Sequence, residues 1–260
     1  MSIGTDDAPR ISLIIPTKNR REGLEAVLKA VLSDKRDYPN LEIIVVDGNS
    51  TDGTADVIRE YSDEIVFCAQ KSKGLYAALN DGLRLATGDW VRMVSDDDGY
   101  VTGCLPYFAE NMGKNSSYVA IGGTATYVRV AADGTEISMD NGSRTGEISI
   151  DTYVHNESLV QCIHEALFFR RDALELLGGW SESYAVSGDL DLIFRLLSHG
   201  NKILILPRTV VHARRGTDSL SRRRSTRAWV EPLVSLLLSG HWRVLATRLW
   251  RMLMHRLGGF

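Results

Sequence analysis

Three adjacent aspartates, Asp96, Asp97 and Asp98, follow a short apolar segment that is predicted to be a β-strand. Three neighbouring carboxylates repel one another, whereas a structural turn needs one acid at most. A divalent cation offsets this repulsion because it binds carboxylate and phosphate oxygens together. The triplet therefore predicts a site for a metal ion and a diphosphate, with a solvated acidic loop as the alternative.

Two other predicted strands, residues 11–15 and 41–46, also end in polar side chains. The residues of interest there are Pro16, Thr17, Asn19, Arg20, Asp47 and Ser50. In an open α/β sheet, ligands bind beyond the carboxyl ends of the strands. We therefore expect these residues to line one site with the acidic triplet, although an Asp-Gly turn such as the one at residues 47–48 is often purely structural.

Short apolar runs and amphipathic stretches alternate along the first hundred residues. Apolar runs predict strands at 11–15, 41–46, 65–67 and 90–94, and helical spacing predicts helices at 22–32, 52–61 and 75–86. Strands that alternate with helices of about ten residues are typical of a parallel, doubly wound sheet.

The pattern changes near residue 118. A hairpin is predicted from residues 118–130 and 136–139, followed by a polar region to about 152 that should carry acceptor-facing loops. Further along, we expect a strand at 166–170, helices at 172–177 and 189–198, a strand at 203–206 that ends before Pro207, and a last strand at 209–211. The core is expected to end near His212.

The composition excludes several classes of protein. The chain has 260 residues, of which 44% are hydrophobic and 24% charged, as in soluble globular proteins and unlike disordered, collagen-like or multi-spanning membrane chains. Three scattered cysteines support neither a disulfide framework nor a zinc cluster. The first ten residues lack a basic flank followed by an apolar run, so a secretory signal is not expected. We therefore expect a cytoplasmic protein.

The C-terminal part of the sequence is strongly basic. Residues 201–260 contain 12 Lys and Arg against two acids, and residues 226–257 interleave Trp and Leu with Arg. This amphipathic pattern predicts a helix that lies on the inner face of the cell membrane, because its apolar face enters the interface and its arginines meet anionic lipids. Packing on the core or homodimer formation is the alternative, and nucleic acid binding is not expected. The predicted division is a catalytic domain at 1–215 and a helical extension at 216–260.

Five sequence blocks in this order resemble the family 2 glycosyltransferases, in particular a bacterial polysaccharide-assembly branch. They are ISLIIPTKNR, IIVVDGNSTDGT, KGLYAALNDGLRLATGDWV, SDDD and ALFFRRDALELLGGWSESYAVSGDLDLIFRL, and the similarity covers about residues 10–215. The resemblance implies a GT-A type fold, Rossmann-like, with a mostly parallel sheet and flanking helices. It also implies inverting transfer from a nucleotide-diphosphate sugar, with a D-x-D motif that binds Mn²⁺ or Mg²⁺.

The resemblance assigns the donor side of the site by position. Thr17 and Asn19 would line the nucleoside pocket, with helix capping as the alternative, and Asp47 would bind the uracil or ribose. Many relatives have a second carboxylate after this aspartate, where this chain has Gly48, so UDP is favoured without being fixed. Lys73 and Gly74 would approach the ribose or the phosphates.

The resemblance also assigns metal and phosphate contacts. Asp96 and Asp98 satisfy D-x-D, but some relatives use the second of two adjacent acids, so the choice between Asp97 and Asp98 stays open. His212 would bind the metal or the diphosphate, with a surface histidine as the alternative. Apart from the resemblance, Arg214 and Arg215 are candidates to bind the donor diphosphate or a lipid-linked phosphate, because guanidinium groups pair bidentately with phosphate. A solvated basic loop is the alternative.

The family's E-D-x-E/D helix start corresponds here to the stretch that contains Gly188, Asp189 and Asp191, with Gly188 in place of the usual glutamate. Asp189 would be the catalytic base, with a helix cap as the alternative, and Asp191 would orient the site or a neighbouring arginine. Trp180 would lie near the acceptor or in the core. The acceptor implied is a hydroxyl of a glycan or lipid-linked glycan in surface polysaccharide assembly. A catalytically inactive nucleotide-sugar-binding scaffold of the same fold is the alternative function.

Overall fold

The structure is a computed structural model that describes residues 8–130, 136–140, 145–155, 164–214 and Leu237. Its strands are β1 (Ile11–Thr17), β2 (Leu41–Asp47), β3 (Val66–Ala69), β4 (Trp90–Met93), β5 (Gly99–Tyr100), β6 (Ala120–Val130), β7 (Glu136–Asp140), β8 (Gly146–Ile148), β9 (Leu167–Arg170) and β10 (Ile203–Arg214). Its α-helices are α1 (Arg21–Asp37), α2 (Thr54–Glu60), α3 (Leu75–Leu83), α4 (Leu105–Lys114), α5 (Ile150–His155), α6 (Arg171–Leu176) and α7 (Gly188–Ser198), and a 3₁₀ turn spans His164–Ala166.

The strands form one mixed sheet in the order β3-β2-β1-β4-β9-β6-β10-β5, with β7 paired to β6 and β8 to β10. The pairs β1–β2, β1–β4, β2–β3 and β6–β10 are parallel. Only β9 interrupts this direction within the centre of the described sheet, because it is antiparallel to both β4 and β6. The predicted α/β fold with a mostly parallel sheet is therefore confirmed.

Apolar residues cover both faces of the sheet. In β1 successive side chains point to opposite faces, so Ile14 packs with α3, α6 and α7, whereas Leu13 and Ile15 pack with α1 and α4. All three side chains are fully buried. Burial on both faces explains why the strand reads as a continuous apolar run rather than as an alternating one.

The prediction that a strand ends before Pro207 is wrong, because β10 continues from Ile203 to Arg214. Its pairing with β6 shifts register between Ile205 and Thr209. A proline has no N–H to donate to a ladder, and a bulge removes the need for that hydrogen bond. The strand therefore passes through the proline and carries His212 with it.

Four strands and helices were missing from the prediction. Strand β5 and helix α4 follow the acidic triplet, and β8 and α5 lie in the region predicted to be loops. The predicted hairpin at residues 118–139 is confirmed in its two strands, β6 and β7, which pair antiparallel.

Within the described part of the chain, no helix is long and apolar enough to cross a membrane. The predicted amphipathic helix at residues 226–257, and the domain division at 215–216, lie outside the described residues apart from Leu237, so both stay predictions.

Candidate functional site

The carboxyl ends of β1 and β4 are joined through two side chains. The Thr17 hydroxyl donates a 2.7 Å hydrogen bond to Oδ2 of Asp96. Burial raises the pKa of Asp96 to about 6, the nearby Asp97 carboxylate adds to this rise, and the Thr17 hydrogen bond opposes it. Helix α1 packs directly on this point, because a Cβ atom at Gly23 would lie 2.2 Å from the Asp96 carbonyl oxygen. The first aspartate of the triplet is thus held rigidly.

The loops after β1 and β2 are also joined. Thr17 and Asp47 lie opposite each other in the parallel register. The backbone N–H of Ser50 donates to the Asp47 carboxylate at 3.1 and 3.2 Å, and its hydroxyl accepts a 2.8 Å hydrogen bond from the backbone N–H of Asn19. The Asn19 side-chain oxygen accepts from the backbone N–H of Thr51 at 2.7 Å. These residues therefore form one polar surface, as predicted.

Neither Thr17 nor Asn19 caps helix α1, so that alternative is wrong. The residue before the helix is Arg20, and its backbone N–H donates to the Thr54 hydroxyl at 3.2 Å. The N–H of Arg21, the first helical residue, donates to Oδ2 of Asp52 at 3.1 Å. Asp52, in the turn after β2, and Thr54, at the start of α2, thus accept these hydrogen bonds, whereas Thr17 and Asn19 contribute to the polar surface.

Asp97 is the most exposed member of the triplet and is engaged by its neighbours. The Arg20 guanidinium lies 3.3 Å from its Oδ2, and the Ser95 hydroxyl donates to its Oδ1 at 2.5 Å. Both partners come from the loops that follow β1 and β4, so Asp97 ties these two loops together.

Asp98 lies next to the start of β5, where Gly99 pairs with His212 of β10. The His212 Nδ1 atom is buried and has no hydrogen-bond partner among the described residues. Carboxylate oxygens suit Mg²⁺ and Mn²⁺, and neutral imidazole nitrogens are common metal ligands. No group of three or more potential metal ligands converges in the described ranges, so a bound ion would need further ligands, such as the phosphates of a donor.

Glu165 lies at the same edge of the sheet, although the sequence analysis did not identify it. It lies in the 3₁₀ turn that leads into β9, and its carbonyl oxygen accepts a 2.8 Å hydrogen bond from Nε of Arg92. Burial raises the pKa of Glu165 to about 7, and the charges of Asp98 and Asp189 contribute to this rise. Because β9 is antiparallel, its first residues reach the edge where the parallel strands end, and no local pattern indicates this.

Trp180 is a core residue, and the alternative that places it near the acceptor is not supported. Its side chain is 1% exposed, and its indole N–H donates to Nε2 of His164 at 2.7 Å. Burial lowers the pKa of His164 to about 4, so this ring is neutral and accepts that hydrogen bond. The pair stiffens the segment that carries Glu165.

Asp189 is the second residue of α7, and Ser187 occupies the N-cap position. Its Oδ1 accepts a 2.8 Å hydrogen bond from the backbone N–H of Leu190 and lies 3.4 Å from the Tyr76 hydroxyl. The side chain is partly exposed. Asp189 is therefore oriented by local contacts while part of its surface stays accessible.

Asp191, the other acid in the first turn of α7, pairs with an arginine. It is buried and forms a 2.7 Å ion pair with Nε of Arg195. The same arginine donates to the carbonyl oxygens of Leu177 and Gly179 at 2.9 and 2.8 Å. Asp191 thus orients a neighbouring arginine, which is the second of the two roles the sequence suggested.

The remaining predicted residues are placed with less detail. Pro16 lies within β1 opposite Val46. Lys73 and Gly74 are exposed in the loop before α3, where Gly74 has a φ of 115° that a side chain would strain. Arg214 is the last residue of β10, and Arg215 lies outside the described residues.

The sequence profile described as "Glycosyl transferase family 2" matches residues 12–177, which is more than half of the chain. Among curated proteins, a "PGL/p-HBAD biosynthesis glycosyltransferase" of Mycobacterium tuberculosis is 26% identical over 197 residues, covering 74% of this chain and 71% of that protein. The Escherichia coli "UDP-Glc:alpha-D-GlcNAc-diphosphoundecaprenol beta-1,3-glucosyltransferase WfaP" is 34% identical over 94 residues, covering 35% of this chain and 37% of that protein.

Two solved structures share the fold. TarS of S. aureus in complex with UDP superposes with a TM-score of 0.69 at 17% identity, over 88% of this chain and 65% of that one. The mannosyltransferase PcManGT of Pyrobaculum calidifontis, in complex with GDP-Man and Mn²⁺, superposes with a TM-score of 0.59 at 20% identity, over 92% of this chain and 65% of that one. This chain thus spans less than two thirds of either solved chain. The similarity confirms the predicted GT-A type fold.

Proposed function

Since the chain belongs to glycosyl transferase family 2, we propose that it is an inverting, metal-dependent enzyme. It transfers a sugar from a UDP-sugar to a lipid-linked glycan. The observation that best supports this proposal is the meeting of Thr17, Asp47 and Asp96 where β1, β2 and β4 end. Polar and acidic side chains thus gather at the edge where sheets of this kind bind their ligands.

The donor side is the polar surface formed by Thr17, Asn19, Asp47 and Ser50. Its aspartate and amide groups suit a uracil and a ribose, which present both hydrogen-bond donors and acceptors. Solved TarS structures contain UDP and UDP-GlcNAc, which favours a UDP-sugar here. Lys73 and Gly74, and Arg214 and Arg215, are proposed to approach the phosphates from the neighbouring loops.

Asp98 and His212 are proposed to hold a divalent cation, Mn²⁺ or Mg²⁺. Asp98 is chosen over Asp97 because it directly precedes Gly99, which pairs with His212. The buried Nδ1 atom of His212 supports its role as a ligand. A cation bound here would act as a Lewis acid that stabilises the negative charge growing on the departing diphosphate.

Asp189 is proposed to be the general base. Its carboxylate removes the proton from the acceptor hydroxyl, and the hydroxyl oxygen forms a bond to the anomeric carbon of the sugar. The bond from that carbon to the phosphate oxygen of the donor breaks on the opposite face, so the configuration inverts. A positioned base of this kind contributes about 10²–10⁴ in rate.

A lipid-linked acceptor is proposed from the relatives. WfaP is named for GlcNAc-diphosphoundecaprenol, and a Campylobacter jejuni relative, 32% identical over 116 residues, is named for GalNAc(5)-diNAcBac-PP-undecaprenol. Residues 226–257 would bring the enzyme to such an acceptor by lying on the cytoplasmic face of the membrane.

The test is transfer by the purified full chain. UDP-glucose, UDP-GlcNAc and GDP-mannose are each offered with GlcNAc-diphosphoundecaprenol, in Mn²⁺ or in EDTA, and the product linkage is read by mass spectrometry and NMR. We expect transfer from one UDP-sugar, only with metal, giving a β-linked product from the α-linked donor.

Asp189→Asn should abolish transfer but retain UDP binding, whereas Asp63→Asn, at an exposed aspartate between α2 and β3, should behave as the wild type. Full activity of Asp189→Asn would refute the proposed base. If the chain binds UDP but neither transfers sugar to any acceptor nor hydrolyses any donor, the inactive scaffold is favoured instead.

A further inference from the structure

Tyr76 connects helix α3 to the first turn of helix α7, although the two elements are more than a hundred residues apart. Its side chain is buried, 4% exposed. Its hydroxyl donates a 2.6 Å hydrogen bond to the carbonyl oxygen of Val186 and lies 3.4 Å from Oδ1 of Asp189. A single phenol therefore contacts both the chain that leads into α7 and the proposed base.

The surroundings of Tyr76 keep its hydroxyl protonated. Burial raises the pKa of Tyr76 strongly, and the nearby charge of Asp189 adds to this rise. The hydroxyl therefore keeps the proton that it donates toward Val186 and Asp189.

Gly188 leaves room for this contact. A Cβ atom at position 188 would lie 2.7–2.9 Å from three atoms of the Tyr76 ring, a distance that real Cβ atoms essentially never show. The family's usual glutamate at this position would thus exclude the phenol as it is placed here. Tyr76 can therefore occupy this position only because residue 188 is a glycine.

We infer that Tyr76 is a positioning residue for the transfer reaction, and that it fixes the Asp189 carboxylate by holding the first turn of α7. This inference rests on the proposed role of Asp189. A small displacement of a catalytic group is costly, since about 1 Å can reduce the rate about 100-fold. The phenol acts on the base and not on the donor, so it should influence turnover and leave nucleotide binding unchanged.

The experiment compares Tyr76→Phe with the wild type in the full chain. It uses GlcNAc-diphosphoundecaprenol and the UDP-sugar that is active in the transfer test. The ring that fills the space beside Gly188 is retained, and only the hydroxyl is lost. We expect kcat to fall about tenfold or more, whereas the donor KM and the thermal stabilisation by UDP with Mn²⁺ stay within about twofold of the wild type. Tyr118→Phe is the matched control, because that hydroxyl also donates to a carboxylate, Oε2 of Glu147 at 2.9 Å, on the surface.

A second pair of variants separates packing from positioning. Gly188→Ala should lower both the melting temperature and kcat, because its methyl group collides with the ring. Adding Tyr76→Leu should restore the melting temperature but not kcat, since the hydroxyl is still missing. Recovery of kcat in this double variant would overturn the inference.

The failure of the inference can be distinguished from the failure of the proposed function. If Asp189→Asn is inactive and Tyr76→Phe has the kcat of the wild type, Tyr76 is only a packing residue and the inference is wrong. If Asp189→Asn is fully active, the base has been misassigned and the proposed function fails at that point, together with the inference that depends on it.

Discussion

Gly99 of β5 lies directly opposite His212 of β10, and a Cβ atom at position 99 would lie 2.9 Å from the His212 Cβ. The absence of a side chain at Gly99 lets the two strands approach. The residue that follows the acidic triplet is therefore held against the histidine proposed as a metal ligand, although the two are far apart in sequence.

Replacing Gly99 with alanine should disturb this approach. The added methyl group forces β5 and β10 apart, and overpacking of this kind costs about 1–3 kcal/mol of stability. We expect UDP to stabilise the Gly99→Ala variant less in the presence of Mn²⁺ than it stabilises the wild type, as measured by thermal unfolding. Gly113→Ala is the control, because a Cβ atom there meets no other atom within 4 Å. Equal stabilisation of wild type and Gly99→Ala would contradict the proposed geometry.

Removing the imidazole of His212 should weaken metal binding. Even groups one shell beyond a metal contribute about 10–100-fold to affinity, so we expect His212→Gln to raise the Mn²⁺ concentration needed for half-maximal activity at least tenfold. His199→Gln serves for comparison, since His199 is exposed at the far end of α7. An unchanged Mn²⁺ requirement would remove His212 from the metal site.

The Thr17 hydroxyl should support donor binding through Asp96. Thr17→Val keeps the shape of the side chain but removes the 2.7 Å hydrogen bond to the Asp96 carboxylate. A hydrogen bond to a charged group is worth about 1.5–3 kcal/mol, so UDP affinity measured by calorimetry should fall roughly tenfold or more. Thr17→Ser, which retains the hydroxyl, should bind UDP nearly as well as the wild type, and comparable losses in both variants would contradict this role.

Stability should depend on pH through Glu165. Burial, Asp98 and Asp189 raise the pKa of this carboxyl from 4.5 to about 7. The folded chain therefore binds the proton more tightly than the unfolded chain, so stability decreases as the pH rises from about 4.5 to about 7. Glu165→Gln cannot ionise, and we expect it to raise the melting temperature at pH 8 but hardly at pH 4.5, in metal-free buffer.

The difference in melting temperature between Glu165→Gln and the wild type reports the effect of the Glu165 carboxyl alone. The lowered pKa of His164, about 4, makes stability fall as the pH decreases from 6.5, and it does so in both proteins. An equal change in melting temperature at both pH values would show that the charge of Glu165 is not responsible.

Arg92 should be essential for stability beneath the site. It is 1% exposed, its Nε and Nη2 donate to the carbonyl oxygens of Glu165 and Val210, and its guanidinium lies 5.3 Å from the Tyr100 ring centre. A lysine ammonium cannot reproduce this planar pair of hydrogen bonds. We expect Arg92→Lys to lower the free energy of unfolding by about 2–4 kcal/mol in urea titrations.

Arg84→Lys is the comparison for this prediction, because Arg84 is largely exposed where it pairs with Asp81. Ion pairs with an exposed partner contribute at most about 1 kcal/mol to the free energy of unfolding. A similar effect of the two substitutions would mean that the buried hydrogen bonds of Arg92 contribute little.

Much of the fold and of the candidate site could be predicted from local sequence. Apolar runs and helical spacing are local properties, and they predicted the parallel strands β1 to β4 with their helices. Polar residues that follow such strands must meet at one edge of the sheet, and this placed Thr17, Asp47 and the acidic triplet correctly. The helix that begins at Gly188 was predicted in the same way.

Tertiary structure decided which distant segments meet at that edge. The sequence contains no local signal that β9 is antiparallel and brings Glu165 to the site, that Gly99 makes room for His212, or that Gly188 makes room for Tyr76. Pairing of strands and packing of side chains depend on contacts between residues that are far apart in the chain. Local periodicity reports which face of an element is buried, but it does not report which partner covers that face.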